Sequence, residues 1–171
     1  MDLRSHIRDI PDFPKPGIVF KDLTPLFLDP IGLQHAIGEL AERSPDADVV
    51  VAAEARGFIL GAAVAARVGA GFIPARKPGK LPLATASADY ALEYGVDALE
   101  VHHDALAGGA RVLVHDDLLA TGGTAGALCE LVRGAGAEIA GCAFLVELAF
   151  LGGRAALGDA DVCSLISYDG S

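Results

Sequence analysis

Aromatic side chains are scarce in this 171-residue chain: they make up 6% of it, against 52% for all hydrophobic residues. A core must therefore be filled by Ala, Val, Leu and Ile, which suits buried parallel strands flanked by small-residue helix faces and argues against a disordered chain. Basic residues are in deficit as well. With 13 Lys and Arg against 23 Asp and Glu, the formal charge is −10 and the isoelectric point lies near 4.7, so nucleic-acid phosphates are repelled and no nucleic-acid partner is expected. The three cysteines, Cys129, Cys142 and Cys163, are odd in number and sit in apolar periodic segments without metal-ligand spacing. Buried reduced thiols are expected, rather than a disulfide framework or a structural metal.

A membrane span is also missing. The mean hydropathy of +0.43 raises the question, but the most apolar stretch, 57–75, contains Arg67, is broken by Gly69 and Gly71 and runs into Pro74. It reads as a buried helix turning into a short strand. The first residues carry Asp2, Arg4, Arg8 and Asp9 with no apolar h-region, so the expectation is no membrane association and a cytoplasmic location.

What is present fits one compact α/β domain over 1–171. Leu3, Ile7 and Ile10 repeat at helical spacing before Pro11, predicting a short helix and then a proline-rich arm that cannot be a central strand. Pro30 to Arg43 reads as a helix ended by Ser44 and Pro45, and Asp48 to Ala53 as a strand turning through Glu54-Ala55-Arg56-Gly57 into an Ala-rich helix. A brief strand, Gly71 to Ala75, precedes a polar segment, Arg76 to Ala88, that reads as a mobile loop. Tyr90 to Tyr94 and Leu99 to His102 predict a hairpin turning at Gly95-Val96-Asp97. Arg111 to His115, Glu138 to Leu148 and Asp161 to Ile166 supply further strands, with a helix to about Arg133. This alternation implies a mostly parallel, right-handed sheet flanked by helices.

The strongest motif is Val112-Leu113-Val114-His115-Asp116-Asp117-Leu118-Leu119-Ala120-Thr121-Gly122-Gly123-Thr124. Gly122 and Gly123 let backbone N–H groups approach a ligand, and with the Thr121 and Thr124 hydroxyls and a helix N-terminus they can surround a phosphate dianion without a lysine. It is not a Walker A loop, which needs Gly-Lys-Ser or Gly-Lys-Thr. Asp116 and Asp117 would repel that phosphate unless a sugar lay between, so they are candidates to accept hydrogen bonds from ribose hydroxyls and to stabilise an oxocarbenium-like transition state. A lone Gly-Gly would read as a simple helix cap; the ordered set reads as a ligand site.

This segment resembles the phosphoribosyl pyrophosphate signature of the type I phosphoribosyltransferases. Asp12-Phe13-Pro14 through Lys21-Asp22, Glu54 to Phe58, Arg76 to Pro82, Tyr90 to Gly95 and Phe144 to Leu148 extend the likeness along nearly the whole chain, towards the adenine-using members. The resemblance implies transfer of a phosphoribosyl group to adenine, with 1–30 as an N-terminal arm or hood and 76–98 as a flexible catalytic loop. It implies that Val19 and Lys21 read the purine through main-chain groups, with Phe20 near the ring and Leu148 on the far face of the base. On the residues alone, Val19 and Phe20 could equally be a core-facing strand, and Leu148 core packing.

The same likeness makes Glu93 an acid/base at purine N7 and has Tyr94 close over the reaction centre, whereas sequence alone makes Glu93 a solvated strand-end carboxylate. It assigns Arg56, Arg76, Lys77 and Lys80 to pyrophosphate, some of them reaching a partner's site in a homodimer, and implies a cis-type bond at Glu54-Ala55. A solvated loop face is the plainer reading of Arg76, Lys77 and Lys80. Mg²⁺ is implied as a bridge held mainly by substrate oxygens, with no dedicated metal motif. Ala120 stands where hypoxanthine-guanine relatives resemble Asp-Thr-Gly, which disfavours a 6-oxopurine substrate. A regulatory protein sensing phosphoribosyl pyrophosphate is disfavoured by the missing basic surface. His115 departs from the apolar residue usual there, and His102-His103 are expected at the surface.

Overall fold

Valine-rich runs too short to be helices alternate with alanine-rich stretches too long to be strands, and the two sort into a parallel sheet with helices on both faces. The computed structural model describes residues 1–44, 46–91, 96–106 and 108–170. A 3₁₀ turn, Leu3–His6, leads into β1 (Arg8–Pro11), β2 (Val19–Asp22), α1 (Thr24–Leu28) and α2 (Pro30–Arg43). Then come β3 (Val49–Ala53), α3 (Gly57–Val68), β4 (Gly71–Ala75), β5 (Thr85–Ala91), β6 (Val96–His102), β7 (Arg111–Leu119), α4 (Gly123–Gly134) and β8 (Glu138–Leu148). Two 3₁₀ turns, Ala149–Leu151 and Gly153–Leu157, precede β9 (Val162–Tyr168).

The central sheet has the order β4-β3-β7-β8-β9, and every neighbouring pair in it is parallel. β3 passes through α3 to β4 on one side, whereas β7 passes through α4 to β8 on the other. Right-handed crossovers leaving in opposite directions put the two helices on opposite faces and open a crevice at the carboxyl ends of β3 and β7. One face packs Val51, Val114 and Phe144 against Leu128 and Val132 of α4 and Leu99 of β6. The other packs Val50, Leu113 and Leu145 against Leu26, Leu40, Leu60 and Val64. Each such side chain contributes about 1.5–3 kcal/mol of burial, so two filled faces hold the crevice rigid.

Local chemistry sets the helix bounds. Asp29 caps α2 by accepting from the N–H groups of Ile31 (3.2 Å) and Gly32 (3.1 Å), with Pro30 at the first helical position. Small residues let α3 lie close on the sheet: a Cβ at Gly61 would stand 2.8 Å from Ala52 Cβ and 3.1 Å from the His115 ring. His115 is wholly buried there, and among the described residues neither ring nitrogen has a partner of good hydrogen-bond geometry. Burial lowers its pKa to about 4, so it is neutral at ordinary pH.

Several expectations are corrected. The N-terminal segment is not a helix but a 3₁₀ turn followed by β1, which pairs antiparallel with β2, Asp9 opposite Lys21 and Pro11 opposite Val19. Such a two-stranded ribbon tolerates Pro11 at its end. The polar segment 76–88 is not all loop, because β5 begins at Thr85 and pairs along its length with β6; Val96 and Asp97 lie in β6 rather than in the turn. β7 continues through Asp116 and Asp117 to Leu119 instead of stopping at His115, because β8 pairs with it that far.

Candidate active site

The crevice is built from two strand ends. After β3 the Glu54–Ala55 peptide bond is cis, the geometry the resemblance implied, and Gly57 opens α3. A Cβ at Gly57 would stand 2.8 Å from Asp116 Oδ1, so glycine is what lets the helix start press against β7. Arg56 Nε lies 2.9 Å from Asp117 Oδ2, and its guanidinium carbon lies 5.2 Å from the centre of the Phe20 ring. Phe20 packs edge-on to Phe13 at 5.2 Å. The β1–β2 hairpin is thereby pinned over the end of β7.

Asp117 is 3% exposed, while Asp116 keeps partial access to solvent. Burial raises the pKa of Asp116 well above the ordinary carboxylate range, and the neighbouring Asp117 charge adds to that. Asp117 is raised by burial too, with Arg56 pulling it back. Two adjacent acids with one cation, Arg56, paired to Asp117 are poised for further hydroxyl donors or a positive charge.

Beyond them, Tyr90, Leu118, Leu119, residues 120–125 and Ala156 line a cavity of about 570 Å³. Ala120, Thr121, Gly122, Gly123 and Thr124 thus share one wall; Asp116 and Asp117 flank it rather than line it. Gly122 has φ +87°, and a Cβ there would fall 2.3 Å from Gly153 O and 2.8 Å from Ala156 Cβ, so no other residue fits. Among the described residues no side chain caps α4 at this glycine. The first N–H groups of a twelve-residue helix are left pointing at the cavity wall with the positive end of the helix dipole, which is the chemistry of an anion site.

The predicted cations are placed differently from one another. Arg76 Nε lies 3.2 Å from Glu54 Oε2, and the Lys77 N–H donates to the same oxygen at 2.7 Å; Glu54 is held below the usual carboxylate range by Arg76 first and Lys77 next. The Lys77 ammonium turns to Asp97 and the Tyr90 hydroxyl on the β5–β6 hairpin, and although burial opposes it, those partners leave its pKa raised. Lys80 bonds back to Lys77 through the main chain, at 3.3 Å. Lys21 is 5% exposed, with its ammonium 2.8 Å from Asp9 and 4.1 Å from the centre of the Tyr168 ring, so only its main chain is left for a ligand. Val19 sits opposite Pro11, and Leu148 packs half-buried on the α2–α3 face. Glu93 and Tyr94 lie outside the described residues. Sequence reasoning missed Tyr90, Ala156 and Gly153 as neighbours of the glycine turn; only the polar–apolar alternation of 85–90 signalled that Tyr90 faces inward.

An open parallel sheet with paired carboxylates, a glycine turn and an uncapped helix start at its switch point defines an α/β protein whose crevice is suited to a phosphorylated ligand. A family model described as the phosphoribosyl transferase domain matches residues 30–156. The adenine phosphoribosyltransferase of Rubrobacter xylanophilus is 57% identical over 169 residues, covering 97% of this chain and 91% of its own. Among solved structures, the adenine phosphoribosyltransferase of Thermoanaerobacter pseudethanolicus matches with a TM-score of 0.95 and 49% identity over 98% of both chains. That of Saccharomyces cerevisiae, complexed with D-2,5-dideoxy-2,5-imino-altritol 1,6-bisphosphate and adenine, matches with a TM-score of 0.90 and 39% identity over 96% of both chains. The chain belongs to the phosphoribosyltransferase family and, within it, to the adenine phosphoribosyltransferases.

Proposed function

We propose that the chain serves purine salvage by transferring the 5-phosphoribosyl group of phosphoribosyl pyrophosphate to adenine, giving AMP and pyrophosphate. The observation that carries this is the uncapped start of α4 at Gly122, facing a cavity beside Asp116 and Asp117. Names of close relatives and the adenine bound in the yeast neighbour support the choice of base.

In this reading residues 121–124 grip the 5′-phosphate through N–H and hydroxyl donors, and Asp116 and Asp117 accept from the ribose hydroxyls. The bond between the anomeric carbon and pyrophosphate breaks as a ring nitrogen of adenine bonds to that carbon. Positive charge then develops on the sugar, where carboxylates fixed in a partly desolvated site stabilise it without reorganising. Arg56, Arg76, Lys77 and Lys80 supply counter-charge for pyrophosphate; for this, Arg76 would leave Glu54 and Lys77 would leave Asp97. Phe20 and Leu148 enclose the base, Val19 and Lys21 offer main-chain groups to its edge, Glu93 exchanges a proton at N7 and Tyr94 closes the site. Changing Glu93 to Gln is expected to lower kcat more than it raises either KM; unchanged kcat would remove that role.

Mg²⁺ fits this site in a limited way. Among the described residues there is no group of three or more His, Cys, Asp or Glu able to hold a metal, but two adjacent acids with raised pKa values favour a cation nearby. Asp116 and Asp117 would hold it through ribose hydroxyls and water, and it would neutralise charge on the departing pyrophosphate. A homodimer in the cytoplasm completes the proposal; among the described residues no helix is long and apolar enough to cross a membrane.

The test is pyrophosphate release from phosphoribosyl pyrophosphate and magnesium, with adenine, hypoxanthine, guanine and xanthine in parallel. Release driven by adenine at least tenfold better than by the others is expected. A 6-oxopurine preference would sink the base assignment, and no release with any base would sink the enzyme.

A further inference from the structure

The glycine turn is backed mainly by main chain. A Cβ at Gly122 would stand 2.3 Å from Gly153 O, a Cβ at Gly153 would stand 2.3 Å from Ala120 O and 3.1 Å from Gly122 N, and one at Gly126 would meet Ala156 O at 3.3 Å. The strap 153–157 therefore presses on both the turn and the first coil of α4. Contact this close transmits any movement of the strap directly to the N–H groups of the turn.

Little in the strap's own backbone fixes it. It is a 3₁₀ segment, a form with poor internal hydrogen bonds. Leu157 is fully buried at one end and its carbonyl accepts from Arg133 Nη2 at 3.3 Å. At the end that touches the turn, the anchor is Arg154. Its Nε donates to Glu147 Oε1 at 2.7 Å and its Nη2 to Glu147 Oε2 at 2.6 Å, while Nη1 donates to Val162 O at 3.2 Å. Glu147 is 5% exposed and lies in β8 opposite Leu119, just before the turn. This bidentate pair joins a buried carboxylate to a half-exposed guanidinium whose remaining nitrogen is tied to main chain, a multiply bonded joint rather than a single surface contact.

We propose that Glu147 and Arg154 are positioning residues for phosphoribosyl binding: the pair clamps strap 153–157 against Gly122 and so holds the phosphate-gripping turn in its binding geometry. This rests on the proposed function above and adds residues that touch no substrate. The strap's buried anchor, Leu157, is independent of the pair, so losing the clamp frees the near end of the strap without removing its core contact.

The experiment measures steady-state kinetics of the full chain with phosphoribosyl pyrophosphate and adenine varied separately, for Arg154→Ala and Arg154→Lys beside the parent. Arg154→Ala is expected to raise the KM for phosphoribosyl pyrophosphate at least fivefold while the KM for adenine stays within twofold, and Arg154→Lys to recover at least half of that rise on a logarithmic scale. A smaller rise, an equal rise in both KM values, or no recovery by Lys overturns the inference, since general destabilisation would not single out one substrate. If Arg154→Ala fails to fold because it strands the Glu147 charge, Glu147→Gln, nearly isosteric and uncharged, decides by the same fivefold and twofold criteria. A parent chain that turns over no base overturns the functional reading and this inference with it; an active parent with an unaffected variant overturns this inference alone.

Discussion

Replacement of Asp116 and Asp117 together by Asn is expected to lower adenine-dependent pyrophosphate release by at least about a thousandfold, because fixed charge at the developing transition state is commonly worth a hundred- to a thousandfold per group. Stability should not follow. Both acids have pKa values raised by burial, so the folded state binds protons more tightly than the unfolded chain. Between the unfolded value, about 3.9, and the raised folded values, stability falls as pH rises, and the cost persists at neutral pH. Asn removes that cost, so thermal unfolding at neutral pH is expected at or above the parent temperature. A double variant that is inactive merely because it is unfolded would contradict this, and wild-type turnover would remove the acids from the site. The same sign governs activity. In the proposed reading the carboxylates are the competent form, so kcat/KM for phosphoribosyl pyrophosphate in the parent should fall with acid at a pH above the ordinary carboxylate range, and Asp116→Asn should leave only the part of that limb carried by Asp117, which burial raises on its own account.

Gly122→Ala is the second large effect. Two separate costs combine at this position: φ of +87° and a Cβ 2.3 Å from a main-chain oxygen. Gly69, at the end of α3 with φ +76° and nothing within 4 Å of a built Cβ, carries only the first. Gly69→Ala is therefore expected to cost about 1–2 kcal/mol of stability and to leave both KM values within twofold. Gly122→Ala must also displace the strap or the turn, and is expected to raise the KM for phosphoribosyl pyrophosphate by at least about a hundredfold, in line with the steep geometric dependence of positioned sites. If the two variants behaved alike, close approach of the strap would be irrelevant to binding.

Much of this arrangement was legible in the residues themselves. Strands such as 49–53 and 138–148 announce themselves because both their faces are buried, giving largely apolar runs, and α2 because Pro30 marks its start and Ser44-Pro45 its end. The glycine turn was legible because a positive φ with neighbouring main chain this close needs glycine, and glycine is visible. Other features were hidden for definite reasons. Asp116-Asp117 looked like the end of a strand because carboxylates rarely sit in a buried ladder, yet β7 continues past them. Thr85 to Ala91 alternates polar and apolar residues in the manner of a one-sided strand, a pattern obscured by the lysines and prolines just before it. The pairing of Glu147 with Arg154 spans seven residues across two 3₁₀ turns, a geometry with no fixed period, so spacing carries no trace of it. Lys77 was expected to face pyrophosphate, but the chain alone does not tell that Asp97 comes within its reach.

The Arg56 side chain touches both Asp117 and the Phe20 ring. One guanidinium thus serves as a latch for the roof of the cleft and as counter-ion for its floor. Whatever draws Asp117 away, a hydroxyl or a cation, changes how firmly the roof is held, so occupancy at one end of the cleft is felt at the other through a single shared side chain.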